Sequence, residues 1–405
     1  MSRVAGLLVL FFSPALLADD WPQFLGPSRN SQSREKDLLE RLPKDGPERV
    51  WSYKVGLGYA GPAVAKGRCV IFHRVGNEDR VEALDALTGK HLWRVVTKTD
   101  YSDPLGKGDG PRAVPTIADD RVFALGANGV LTAVSLEQGK KLWAVDLLAR
   151  YEVPASYFGV GTAPLVVDNK VLVNVGAEGA GVVAFDVQTG KEVWKASNDR
   201  ASYASPVLAK FGGVSMAIFF TRHGLLALEP ETGKQRFSMR WRARIDASVN
   251  AASPVVIDDQ LFLTASYGTG AILLRWKKDG FEEVWQSDRV LSCHFNTPVV
   301  VGEQMYGVQG RQEEGAKLRC IDWKTGKVRW TQDGFGCGSL IAAGTQLIGM
   351  SESGELILFR ANAEKYEELG RARVLNGTVR AHLALANGRL YGRDEEKLVC
   401  WKLTK

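Results

Sequence analysis

The residues of this chain best suited to chemistry stand in a series of short segments, each running into a Pro-led apolar stretch. They are Tyr59, Arg112, Tyr157, Tyr203, Asn250, His294, Asn296 and Arg380, with Phe158 and Cys337 in the same series. Two guanidiniums, several rings and two amides gathered at one point would hold a planar anionic ligand, because an Arg fork matches a carboxylate and rings offer stacking faces. The same residues would equally plug a channel and bond to loop backbones. His294 beside Cys293 is the pairing closest to a metal site. No second His or Cys stands at a ligand spacing, so no metal is expected and a hydrogen-bonded imidazole is the simpler reading. Asp109, Glu152 and Asp246 are the only acids here that would serve as a base or calcium ligand, and loop capping accounts for them. Nothing in the chain resembles a Ser-His-Asp set or a phosphate-cradling glycine loop, so no catalytic residue is assigned.

What must position these segments is a repeat. Ala83-Leu84-Asp85 leads to Thr88-Gly89-Lys90 and Trp93, and Ala184-Phe185-Asp186 leads to Thr189-Gly190-Lys191 and Trp194. Similar copies run from Ala227 to Phe237 and from Cys320 to Trp330, with looser ones ending at Trp143, at Trp285 and near Leu369. The anchors Trp51, Trp93, Trp143, Trp194, Phe237, Trp285 and Trp330 follow one another at 42, 50, 51, 43, 48 and 45 residues, enough each time for four short strands. Pro62, Pro115, Pro164, Pro206, Pro254 and Pro298 open β-branched runs in the same register, with Leu340 and His382 in the corresponding last two slots. Proline fits there because the first residue of a strand need not donate to the ladder. An eighth copy starts at Val399-Cys400-Trp401 but lacks its last strand, while Arg49-Val50-Trp51-Ser52 is a last strand without a preceding turn. The fold predicted is all-β: an eight-bladed β-propeller of four-stranded antiparallel blades, closed by pairing N- and C-terminal strands in one blade.

Arg3, the apolar stretch from Val4 to Leu17 and the small Ala18 read as a cleavable export signal over residues 1–18, too short for a permanent transmembrane anchor. Residues 19–47 form a polar extension expected to lie loosely along the ring, and 48–405 the propeller. A formal net charge of +6, with basic residues scattered among acids, gives no footprint for nucleic acid. Five cysteines are too few for a disulfide framework. A bridge between Cys293 and Cys337, which precede the first strands of neighbouring repeats, stays open.

The Ala-x-Asp-x-x-Thr-Gly-x-x-x-Trp pattern resembles the PQQ-like (pyrroloquinoline quinone) propeller repeat over nearly the whole chain, and the opening Asp20 to Asn30 is similar to secreted PQQ-like propellers of planctomycete-type bacteria. The resemblance implies that the six tryptophans and Phe237 are structural docking residues packed on the glycine turn of the adjacent blade. It also implies two functional branches. Quinoprotein alcohol or sugar dehydrogenases hold PQQ with calcium in the central funnel, whereas the outer-membrane assembly lipoprotein uses a similar ring as a scaffold. This chain lacks the adjacent Cys-Cys pair of many such enzymes and the lipid-bearing Cys of the scaffold. The expectation is an exported, periplasmic or secreted monomer, non-catalytic and without cofactor, that binds a protein, peptide or surface polymer. A quinoprotein dehydrogenase and a carbohydrate- or polymer-binding module are the alternatives.

Overall fold

The computed structural model describes residues 20–106, 108–153, 159–245 and 248–405; the expected export signal, Tyr157, Phe158 and Asp246 lie outside them. Eight antiparallel sheets follow one another along the chain. Blade 1 consists of Ala63–Ala65, Arg68–Val75, Glu78–Asp85 and His91–Lys98, and blades 2 to 7 repeat this plan. Blade 8 takes Ala384–Ala386, Arg389–Arg393 and Lys397–Lys402 from the end of the chain and Arg49–Lys54 from its beginning. Trp51 stands opposite Cys400 and Tyr53 opposite Leu398, so the ring closes by pairing the two ends of the chain.

Burial follows strand position. Second and third strands lie between neighbouring sheets and are buried along nearly their whole length, as in Lys170–Ala177, which explains their continuous apolar runs. Outermost strands alternate, as in His91–Lys98, where Trp93 is buried between exposed neighbours. The short first strands of blades 1, 2, 3 and 4 meet side by side, as do those of blades 6 and 7 and of blades 8 and 1, around the axis.

Each docking tryptophan reaches the next blade. The Nε1 atoms of Trp51, Trp93, Trp143, Trp194, Trp285 and Trp330 donate to the carbonyls of Ala86, Leu136, Val187, Pro230, Trp323 and Asn362 at 2.8–3.1 Å. The indole also covers the turn glycine: a Cβ on Gly190 (φ +68°) would stand 2.6 Å from Trp143. Asp186 shapes that turn by accepting from the backbone N–H of Thr189 at 2.8 Å and from its hydroxyl at 2.7 Å. Phe237 has no N–H to give, and its ring lies 3.3 Å from the Cβ position of Gly280. All five cysteines, Cys293 and Cys337 among them, are buried free thiols.

The N-terminal extension is not loosely held. Trp21 pairs with Val64 of blade 1 (2.7 and 2.8 Å), Pro22 accepts from Ile117 of blade 2, and Gln32–Ser33 adds a parallel strand to blade 7. Trp21 and Leu25 are each 2% exposed, and Leu38 and Leu42 are buried against blades 7 and 8. The average polarity of the segment conceals these apolar anchors, whose burial outweighs the cost of ordering it.

Candidate functional site

Antiparallel blades place two kinds of loop on one face of the ring: those entering each first strand and those joining second to third strands. Between these loops a cup of about 300 Å³ opens on the axis. Tyr59, Arg112, Tyr203, His294 and Arg380 line it, as do Phe24, Tyr267, Phe295, Arg311, Gln312, Glu313 and His382, which sequence reasoning did not include. Asn250 and Asn296 do not reach it. Asn250 is a buried clip between blades 4 and 5, its side-chain Nδ2 donating to Thr221 O at 2.8 Å while its backbone carbonyl accepts from the N–H groups of Tyr203 and Ala204, and Asn296 is 2% exposed.

The arginines of the cup are engaged. Arg112 pairs with Asp103, whose side chain is wholly buried, and donates to Gly108 O at 2.8 Å. Arg380 donates from Nε to Glu352 at 2.7 Å and lies over the Tyr59 ring at 5.2 Å. Arg311 donates to Glu314 at 2.7 Å and lies 4.7 Å from the centre of Tyr267. The Tyr267 hydroxyl meets His294 Nε2 at 2.9 Å, and Tyr203 donates to Gly159 O at 3.1 Å. Burial lowers the His294 imidazole below its usual value and pushes His382 down to about 4, so both are neutral at physiological pH. Asp109 caps the loop by accepting from the Asp103 N–H at 2.8 Å, and Glu152 is exposed. Among the described residues no three of His, Cys, Asp and Glu converge to hold a metal ion.

The floor of the cup is the N-terminal extension. Phe24 meets His382 edge-on at 4.7 Å. Beneath, Arg29 is 3% exposed and closes the axis. Its Nε donates to Gln23 Oε1 at 2.8 Å, one terminal nitrogen to Pro206 O at 2.9 Å and Ala163 O at 3.5 Å, the other to Pro164 O and to Thr116 Oγ1 at 3.4 Å. No carboxylate is among these partners. Burial pulls the Arg29 guanidinium down to about 9, which still leaves it charged at neutral pH.

Among the described residues no helix is long and apolar enough to cross a membrane. A family model described as outer membrane protein assembly factor BamB matches residues 77–332, more than half of the chain. The assembly factor of that name from Burkholderia pseudomallei is 30% identical over 49% of this chain and 47% of its own length. The quinohemoprotein alcohol dehydrogenase ADH-IIG of Pseudomonas putida is 31% identical over 36% of this chain and 21% of its own. The chain thus spans less than half the length of either. The crystal structure of the quinohemoprotein alcohol dehydrogenase from Comamonas testosteroni superposes over 96% of this chain and 81% of that one, at TM-score 0.54 and 14% identity, which is a likeness of fold. With the repeat, the eight closed blades and the docked tryptophans in place, the matched model identifies this chain as a member of the BamB family of PQQ-like propellers.

Proposed function

We propose that the protein is an exported, non-catalytic propeller that binds another protein and acts as a scaffold. The observation that carries this reading is the filled axis: residues 20–33, fixed by Trp21 and Arg29, occupy the centre of the ring and leave only the cup and the broad faces for a partner. The family, described as an assembly factor for outer membrane proteins, supports it.

PQQ with calcium, the groups that the dehydrogenase likeness would bring, does not fit the residues present. Calcium takes six to eight oxygen ligands, and Asp103, Glu314 and Glu352 are each tied to an arginine. Turning them to calcium would strand Arg112, Arg311 and Arg380 without their counter-ions, and Asp103 is wholly buried beside Arg112. The reading therefore includes no cofactor.

Three experiments test it. Fractionation should find the chain outside the cytoplasm and a variant lacking residues 1–18 inside. Cross-linking of the exported chain in its own cells should yield a defined complex with one protein, recoverable from purified components. Tight binding of PQQ and calcium with dye reduction by an alcohol or aldose would overturn the non-catalytic assignment.

A further inference from the structure

The cup does not stand alone. A wider trough of about 740 Å³ runs between blades 6 and 7, and Gln312 and Arg380 line both spaces, so the two form one continuous path from the axis outwards. We infer that this path binds a linear, uncharged glycan, with one terminal sugar ring in the cup and the following units in the trough. The inference assigns the cup to a glycan and leaves the broad faces of the ring to the partner protein of the proposed function.

Charge decides against an anionic ligand. Arg112, Arg311 and Arg380 face Asp103, Glu313, Glu314 and Glu352, and Arg29 below brings the sum to zero. Turning Arg112 towards an incoming anion would strand the buried Asp103 carboxylate, a loss that one new ion pair does not recover. What the paired arginines offer instead is fixed N–H donors side by side with carboxylate acceptors. A sugar hydroxyl donates once and accepts from others, so vicinal hydroxyls match such pairs without disturbing them. The remaining wall is aromatic, with Tyr59, Tyr203, Tyr267 and Phe24 offering apolar surface to the C–H faces of a pyranose. A volume of about 300 Å³ is at the small end of ligand sites, in keeping with a single ring. The trough is lined by Gly315, Gly334 and Gly336, by the hydroxyl residues Ser351, Ser353 and Thr378 and by Lys317 paired with Asp333 at 2.9 Å, a mixture of donors and acceptors that a chain of hydroxylated rings can follow.

The test is calorimetric titration of the whole chain with cello-, xylo-, manno- and malto-oligosaccharides from single units to hexamers, with oligogalacturonate as the anionic comparison. One neutral series should bind, tightening with length, and oligogalacturonate should bind more weakly. Tyr267→Ala should lower affinity about tenfold, equivalent to the loss of one ring contact. Gln312→Ala, at the junction of cup and trough, should weaken the hexamer more than the single unit; being half-buried in a surface loop, it keeps the test open if the tyrosine variant melts early. The inference fails if no neutral series binds, if oligogalacturonate binds better, or if variants with unchanged melting bind as the parent does.

Discussion

Arg29 allows opposing effects to be separated by one pair of substitutions. Burial pulls its pKa from the ordinary guanidinium value down to about 9, and at about 1.4 kcal/mol per unit this puts the cost of holding the cation at roughly 5 kcal/mol. Against that stand its hydrogen bonds to Pro206 O and Pro164 O and weaker ones to Ala163 and Thr116. Bonds from a charged group contribute about 1.5–3 kcal/mol each, so the two strong ones together roughly offset the desolvation. Arg29→Ala removes the cost and the bonds together, and the space left by the side chain, bordered by carbonyl acceptors, can take up water, so its net loss should be small, about 1–2 kcal/mol. Arg29→Lys keeps a cation that is more strongly hydrated, offers three donors instead of five and lacks the planar fork. It should lose about 3 kcal/mol or more, mainly through the unrecovered desolvation. The conservative replacement is thus expected to be the worse one. Urea unfolding gives the ordering, and hydrogen exchange over residues 20–33 shows whether the loss is local to the plug. A lysine variant as stable as the parent, beside an alanine variant several kcal/mol weaker, would refute the balance drawn here.

Three further outcomes follow from the same contacts. Gly190→Ala places a methyl against Trp143 at a left-handed φ and should cost about 2–4 kcal/mol, whereas Gly67→Ala, at φ +73° with nothing within 4 Å, should cost only about 1 kcal/mol in urea melts. His382 is held neutral, so the unfolded chain binds more protons as pH falls from 6.5 to about 4; stability from this group is present above that window, declines through it by roughly 3 kcal/mol, and should become flatter with pH in His382→Leu, with His73 and His294 leaving a residual slope. Arg112→Ala leaves the Asp103 carboxylate buried without its cation and should lower the melting temperature sharply, by about 3–5 kcal/mol equivalent, while Arg380→Ala, whose pair with Glu352 is 30% and 20% exposed, should change it little.

The ring was legible because its repeat is chemically demanding. A turn with positive φ under an indole admits only glycine, and an indole N–H must find a carbonyl at a fixed distance, so Gly89, Gly190 and Trp143 announce both the blade and its neighbour. The cup was legible in part. Tyr59, Arg112, Tyr203, His294 and Arg380 line it because they precede the first strands, but Tyr267 and Arg311 come from the turns between second and third strands, which reach the same face. The signal for the latter lay in length: the connection from Gly310 to Ala316 is the longest of the eight such turns. Asn250 and Asn296 share the right segments but are buried, at 1% and 2% exposure, and the Asn250 amide donates to Thr221 O, since a short polar side chain at a strand entry can meet neighbouring backbone more readily than a ligand.

Arg29 illustrates what patterning does not reveal. Its neighbours are polar, and nothing local marks it as buried. The demand for it comes from the closed ring itself, whose first strands turn an edge towards the axis that the extension meets at blades 1 and 7 through Trp21 and Gln32–Ser33 and at the carbonyls of Pro164 and Pro206 through Arg29. Those carbonyls belong to the prolines that mark the strand starts; Pro164 O also accepts from the Thr116 hydroxyl of blade 2 at 2.7 Å, and Arg29 supplies the donor to Pro206 O and a second donor to Pro164 O. A guanidinium carries five donors in one plane and no acceptor, which makes it the side chain able to serve several converging carbonyls from one point. The extension that carries Arg29 therefore completes the hydrogen bonding of the propeller, and the floor that it gives the cup follows from that role.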